Sequence, residues 1–369
     1  MYTAMSPNTF PYPVPRDIEG HTKLGIFDHA AAHGMEDLHF KVDPTSGLKA
    51  IIAIHSTRKG SALGGTRCLK YPSEQHALED AMRLAKGMSY KSAYAGLPYG
   101  GGKAVLLRPD KIVDPDAYFE CYGEFINSLN GRFITAVDVG TKVSDMDIIV
   151  RKTQFVLSTS ADSGDPSLHT ALGVLNAIKA AVKVKLDRSD LEGTLVAIQG
   201  IGKVGLHLAR LLHENGAKLV ISDIDQLAVQ RCADELGAIA IDSAKIIDFE
   251  CDVLSPCALG SIINDDTVQR IKAKIICGAA NNQLAEDEHG DILNQKKIFY
   301  VPDYVVNAGG LIHVIYGTSI ETDKRIDAIY DSVCHIYQQS LTDKQPCHRV
   351  ANKIAEQILS GSRQVVAHM

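Results

Sequence analysis

Three glycines at fixed spacing, Gly200, Gly202 and Gly205, stand between an apolar run (residues 194–199) and a helical pattern from Val204 to Asn215. Strand, glycine turn, then helix is the order that most constrains this chain, because it builds half of a parallel βαβ unit around an anion site. The first glycine makes the turn, the second lets backbone amides reach a pyrophosphate, and the third permits close helix–strand packing. The helix N-terminus favours the phosphate charge, and Lys203 and Val204 beside it are candidate cofactor residues. A second strand then ends in Asp223, about twenty residues on, where a carboxylate accepts both ribose hydroxyls and repels a 2′-phosphate. That points to NAD rather than NADP. The bland reading is a glycine-rich βα turn with no ligand.

Strand and helix alternate from there to about Gly310, with strands read at Leu219–Ser222, Cys251–Leu254, Ala273–Cys277 and Ile298–Val301. A helical pattern precedes the fingerprint (Ser167 to Val184), and a last amphipathic helix carries Ile326, Ile329, Tyr330, Val333, Ile336 and Tyr337 at helical spacing. The chain's beginning mixes elements differently. Leu48–His55, Ala104–Leu107 and Phe133–Val137 read as strands, whereas Ser73 to Met88 reads as a helix with Ser73 as N-cap and His76 at N3. Gly64-Gly65-Thr66-Arg67 reads as a turn and Gly100–Gly102 as a loop. With 369 residues, two domains are expected: an α/β substrate and oligomerisation domain over 1–155, and a Rossmann domain over 156–332. The C-terminal helices, about 333–369, are free to pack back on the first domain or to fold across both.

A net charge of −6 gives no reason to expect nucleic acid or an anionic membrane as partner. No apolar run approaches the roughly 20 residues needed to span a bilayer. The segment through Arg16 is Pro-rich and polar, without the basic start and apolar stretch of a signal peptide, so a cytoplasmic location is expected. The eight cysteines are scattered with no C-x-x-C pair, which reads as reduced thiols, and no metal-ligand cluster is found.

Lys91 and Lys103 flank a stretch containing three consecutive glycines. Bare backbone lets amides approach a small ligand and brings Lys103 close to it. An amine so placed can be desolvated, lose its proton near neutral pH and act as a general base. A second amine, Lys91, could stay charged and hold a carboxylate. The stretch is no P-loop, since Leu97 stands where the first glycine is required and Ala104 where Ser or Thr is. From spacing alone, Lys103 is equally a catalytic amine or a solvated lysine. Asp138 ends an apolar strand and is either a loop or capping acid or an acid beside a ligand.

Taken together, Gly64–Arg67, Leu84–Lys91, Ala95–Lys103, Asp138–Thr141, Gln199–Gly205, Pro256–Gly260, Gly278–Leu284 and Asn307–Gly310 resemble, in order and over nearly the whole chain, the Glu/Leu/Phe/Val amino-acid dehydrogenases. The leucine dehydrogenase branch is the nearest match. The resemblance implies that Lys91 pairs with the substrate carboxylate, Lys103 activates water, and Asp138 assists proton transfer at the amine. It places Gly64, Gly65 and Asn282 at the substrate, and Leu63, Met88, Ala136, Leu311 and Val314 around its side chain. For the cofactor, NAD, it adds Cys257, Ala258, Ala279, Ala280, Asn282 and Asn307 to the fingerprint residues. In such enzymes the site lies between the domains.

The implied reaction is reversible oxidative deamination of an apolar L-amino acid, leucine, valine or isoleucine first, to a 2-oxo acid and ammonia. Hydride leaves Cα, water activated by Lys103 adds to the resulting iminium, and the carbinolamine collapses. A dry cleft and the charge of Lys91 would lower the Lys103 pKa. All five side-chain positions are apolar, which argues against glutamate. Phenylalanine or tryptophan is the enzymatic alternative, and a non-catalytic NAD-binding sensor the remote one. The chain departs from the leucine-enzyme pattern at Val137, at Pro98-Tyr99, at the stretch from His313, and in its short C-terminal end. A homo-oligomer follows from the resemblance, as dimer or octamer.

Overall fold

Branched and apolar residues at alternate positions build a sheet that is covered on both faces. In the computed structural model, which describes residues 25–162, 164–258 and 260–361, the chain divides after Gly164 into two units. The N-terminal segment through Arg16 and residues 362–369 lie outside the described residues.

The first unit runs α1 (Ile26–Ala32), β1 (Asp37–Asp43), β2 (Leu48–Ser56), β3 (Ala62–Leu69), α2 (Glu74–Tyr94), β4 (Gly100–Leu107), α3 (Pro115–Ser128), β5 (Phe133–Val137) and α4 (Val143–Ile149). Its sheet has the order β1-β2-β4-β3-β5. The first two pairings are antiparallel and the last two parallel. Alternation along β2 and β4 sends Ile52, Ile54, Ala104 and Leu106 toward Tyr118, Tyr122 and Ile126 of α3. It sends Ile51, Ala53 and Val105 toward Ala77, Ala81, Met82 and Ala85 of α2.

Ser73 caps α2 by accepting from the His76 backbone N–H at 3.3 Å, and its hydroxyl meets His76 Nδ1 at 2.8 Å. The helix continues to Tyr94, six residues past the expected end, because Ser89, Tyr90, Ser92 and Ala93 extend its buried face and Gly96 is the first stop signal.

Two expectations fail here. Gly100–Gly102 is the start of β4 and Gly64-Gly65 lies inside β3; neither is a loop. The physical reason is a close approach. A Cβ on Gly101 would overlap the Ser89 backbone nitrogen, so bare strand lets α2 lie directly on the sheet.

The second unit runs α5 (Ser167–Leu186), β6 (Leu195–Gln199), α6 (Lys203–Glu214), β7 (Lys218–Ser222), α7 (Gln226–Leu236), β8 (Ile239–Ala240), β9 (Val253–Pro256) and β10 (Ile275–Ile276). It continues with α8 (Asp287–Gln295), β11 (Phe299–Tyr300), α9 (Asp303–Val306), α10 (Gly309–Tyr316), α11 (Ile320–Asp343) and α12 (Cys347–Ser360). The sheet is parallel throughout, in the order β11-β10-β9-β6-β7-β8. Strand order reverses between β6 and β9, so a crevice opens at their carboxyl ends, where an open α/β sheet binds ligands.

The boundary expected at 155 falls later because residues 155–157 are tied to β5. The Thr135 N–H donates to Phe155 O at 3.0 Å and the Leu157 N–H to Thr135 O at 2.8 Å. Of the C-terminal helices, α11 packs on α5, and α12 on α8 and β11, all grouped with the second unit.

Candidate active site

In the first unit, strand register decides which side chains share a face. Leu63 pairs with Gly101 and with Ile134, and Gly65 pairs with Ala136. Leu63, Gly65 and Arg67 of β3, Lys103 of β4 and Ala136 of β5 therefore all face α2. Lys103 Nζ lies 2.8 Å from Asp138 Oδ2, at the end of β5, and its side chain is 5% exposed. The same oxygen accepts from Arg67 Nε at 3.1 Å. Arg67 Nη1 donates onward to both oxygens of Asp80 on α2, at 3.0 and 2.9 Å, and the Tyr71 hydroxyl adds a third bond to Asp80 at 2.7 Å. The Asp138 backbone is pinned too, its N–H donating to Thr141 Oγ1 at 3.0 Å while that hydroxyl donates to Thr66 O at 2.9 Å.

Burial pushes the Lys103 amine below the usual lysine value; Asp138 pulls it back and Arg67 lowers it further. The leading cationic influence is Arg67, where the sequence reading expected Lys91. For Asp138, burial opposes the charged form, but Lys103 and Arg67 outweigh it and hold the carboxyl well below the usual range. The result is a buried amine biased toward its neutral form beside a carboxylate that stays ionised. Such a pair can take a proton from a bound water and hand it on.

Lys91 lies in the last turn of α2, half-buried, and Met88 one turn before it is also half-buried. Leu63, Gly64 and Gly65 are buried and Ala136 is half-buried. The other substrate positions, Asn282, Leu311 and Val314, belong to the second unit, the last two half-buried on α10.

In the second unit, the crevice at the ends of β6 and β9 collects the fingerprint residues. Gly200 turns the chain with φ +98°, a conformation side chains rarely adopt, and a Cβ there would press on Ala258 and Cys257. A Cβ on Gly205 would overlap the Gly200 carbonyl, which is the close packing expected of the third glycine. Gly202 is the N-cap of α6; no side chain caps that helix and nothing lies within 4 Å of where a Cβ would sit. Val204 follows in the first turn, and exposed Lys203 reaches Asp165 at 2.8 Å. Asp223 Oδ2 accepts from the Ile201 N–H at 2.6 Å and Oδ1 from the Asp225 N–H at 2.9 Å, so the acid ties the glycine turn to the end of β7.

The Cys257 N–H donates to Gln199 O at 2.7 Å, joining β9 to β6, with Ala258 exposed beyond it. The Ala280 N–H donates to Pro256 O at 2.9 Å. Asn307 donates from Nδ2 to Ala279 O at 2.9 Å and to Asn281 Oδ1 at 2.8 Å, while its Oδ1 is buried with no partner among the described residues. Asn282 has a left-handed backbone (φ +49°), which asparagine tolerates well, and its N–H donates to Asp303. An uncapped helix N-terminus, open space over Gly202 and an orphaned amide oxygen fit a dinucleotide, which needs an anion cradle and an acceptor for its carboxamide.

Arg67, Asp80, Tyr71 and Asp303 were not singled out from the sequence. Asp80 did leave a signal, since it interrupts the apolar face of α2 between Ala77 and Ala81. Arg67 sits two residues beyond Gly65 on the same strand face. Tyr71 and Asp303 left none.

The model of the Glu/Leu/Phe/Val dehydrogenase dimerisation domain matches residues 35–155, and that of the glutamate/leucine/phenylalanine/valine dehydrogenases matches 165–230 and 224–356. A leucine dehydrogenase of Geobacillus stearothermophilus is 48% identical over 92% of this chain and 95% of its own. An L-tryptophan dehydrogenase of Nostoc punctiforme is 41% identical over 92% and 97%. The crystal structure of L-tryptophan dehydrogenase from Nostoc punctiforme superposes with a TM-score of 0.78, covering 92% of this chain and 99% of that one, at 39% identity. Among the described residues no helix is long and apolar enough to cross a membrane. With two motif-bearing units matched end to end, the chain belongs to the Glu/Leu/Phe/Val dehydrogenase family of amino-acid oxidoreductases.

Proposed function

We propose that the chain catalyses the NAD-dependent, reversible oxidative deamination of an apolar L-amino acid, leucine, valine or isoleucine first, to the 2-oxo acid and ammonia. The observation that carries this reading is the buried Lys103 amine, pushed toward neutrality and set 2.8 Å from an ionised Asp138. Bound NAD supplies the hydride acceptor. Gly200, Gly202, Lys203, Val204 and Gly205 hold the pyrophosphate, and Cys257, Ala258, Ala279, Ala280, Asn282 and Asn307 border the rest. Asp223 favours NAD over NADP, since a second negative charge on the ribose would face its carboxylate.

Lys91 holds the substrate carboxylate. Neutral Lys103 takes a proton from the water whose oxygen bonds to the substrate's iminium carbon. Asp138 accepts hydrogen bonds from Lys103 and the substrate amine, relaying a proton without keeping it. In the first unit Leu63, Met88 and Ala136 meet an apolar side chain and Gly65 leaves room at Cα, with Gly64 contributing bare backbone beside it; in the second unit Leu311 and Val314 are the apolar candidates for that side chain. We assign the enzyme to the cytoplasm and to a homo-oligomer, dimer or octamer. The matching dimerisation domain supports the second point and eight free cysteines the first.

The test is a panel of L-amino acids with NAD, followed by NADH absorbance. Turnover led by leucine, valine or isoleucine is expected. An aromatic preference, the second reading favoured by the tryptophan dehydrogenase relative, would appear as turnover confined to phenylalanine or tryptophan. No turnover with any of them sinks both.

A further inference from the structure

One guanidinium in the first unit joins two carboxylates. Arg67 grips Asp80 through Nη1 and turns its Nε onto the oxygen of Asp138 that also faces Lys103. The Arg67 and Asp80 side chains are 13% and 1% exposed, so this is an interior device. We propose that Arg67 and Asp80 are positioning residues for the reaction: the guanidinium fixes the Asp138 carboxylate against the Lys103 amine, and Asp80 both orients the guanidinium and balances its charge. The inference rests on the function proposed above.

The geometry supplies three arguments. Asp138 Oδ2 is held from two directions, by Lys103 Nζ and Arg67 Nε, which fixes its rotamer where the Lys103 contact alone would not. The Asp80–Arg67 contact uses both carboxylate oxygens, and Tyr71 donates to one of them. Burial and Asp80 together push the Tyr71 hydroxyl far above its ordinary pKa, so it stays a donor. The charged groups that weigh most on Lys103 are Asp138 from the end of β5, Arg67 from β3 and Asp80 from α2. With Lys103 protonated they sum to neutrality, two cations against two carboxylates. With Lys103 neutral one negative charge is left. Removing a member of the pair therefore moves the Lys103 proton equilibrium with opposite sign: losing Arg67 favours the charged amine, and losing Asp80 favours the neutral one.

The experiment uses the full chain with Arg67→Met, Asp80→Asn and the charge-keeping variants Arg67→Lys and Asp80→Glu. The rate at which cyanate carbamylates Lys103 is read by peptide mass spectrometry across pH, with exposed Lys111 as internal standard. In parallel, kcat/KM for amino-acid oxidation is followed across pH. At a fixed pH on the rising limb, R67M should label Lys103 on the order of tenfold more slowly than wild type, and D80N correspondingly faster. The acidic limb of kcat/KM should shift up in pH in R67M and down in D80N. R67K and D80E should keep the wild-type labelling midpoint while kcat falls, because a point charge or a longer arm loses the fork geometry. Shifts of the same sign in R67M and D80N, or none in either, overturn the proposal, because loss of packing alone moves both variants alike. If R67M and D80N do not fold, a displaced labelling midpoint in R67K and D80E overturns it. Labelling shifts of the expected signs in a protein that oxidises no amino acid would refute the proposed function and leave the positioning intact.

Discussion

Lys103 and Asp138 meet at 2.8 Å across a strand that belongs to neither of them. β3 lies between β4 and β5, and the residue over which the two side chains reach each other is Gly65. A Cβ there would stand 2.8 Å from both Asp138 Cβ and Val137 O. Gly65→Ala should therefore part the pair. A fall in kcat of about a hundredfold is expected, with a stability loss of about 1–3 kcal/mol by denaturant titration. Unchanged kcat would show that the bare position is irrelevant to the pair.

Lys103→Ala should cost several orders of magnitude in kcat while NAD affinity stays within about twofold, because the fingerprint lies in the other unit. In the proposed reaction, oxidation needs the neutral amine. kcat/KM should fall as pH drops through the Lys103 pKa, a value depressed from that of ordinary lysine chiefly by burial. A rate independent of pH on the acidic side would contradict the assigned role.

Asp138→Asn should destabilise the fold by about 3 kcal/mol near neutral pH, since it removes the anion that buried Lys103 and Arg67 share. The sign follows from the depressed Asp138 pKa. Its contribution is fully present above the ordinary carboxylate pKa of about 4 and is lost as pH falls toward the lower folded value. The gap between wild-type and variant stability should narrow on acidification, as read by urea unfolding at several pH values.

Asp223→Ala releases the Ile201 N–H that the carboxylate holds at 2.6 Å. NAD affinity should drop by about tenfold or more, a loss of about 1.4 kcal/mol, with NADP affected less. Calorimetric titration with both dinucleotides checks this, and an equal loss for the two would remove Asp223 from cofactor selection.

Ser73→Ala removes the N-cap of the helix that carries Asp80 and Lys91. About 1 kcal/mol of stability should go, seen as a lower melting temperature, with kcat nearly unchanged.

The second unit was legible in outline, because a glycine fingerprint and βα alternation leave few topologies open. In the first unit the composition misled. Gly64-Gly65 and Gly100–Gly102 carry low strand propensity, and the reason they are strand, the weight of α2 on Gly101 and the reach of Asp138 over Gly65, is tertiary. Lys103 and Asp138 could be named only because flanking motifs resembled a family, since a lysine beside glycines is as often solvated. Arg67 and Asp80 stayed hidden because thirteen residues and two element types separate them. Only strand register and helix packing bring them together.

On α10, Gly309 and Gly310 stand where side chains would overlap the His169 carbonyl and the Thr170 hydroxyl of α5. The backbone beneath Leu311 and Val314 is thereby bolted to a neighbouring helix at a crossing that admits no enlargement. Exchanging those two side chains, volume for volume, leaves that anchorage in place, so their size can vary while the backbone that carries them stays put.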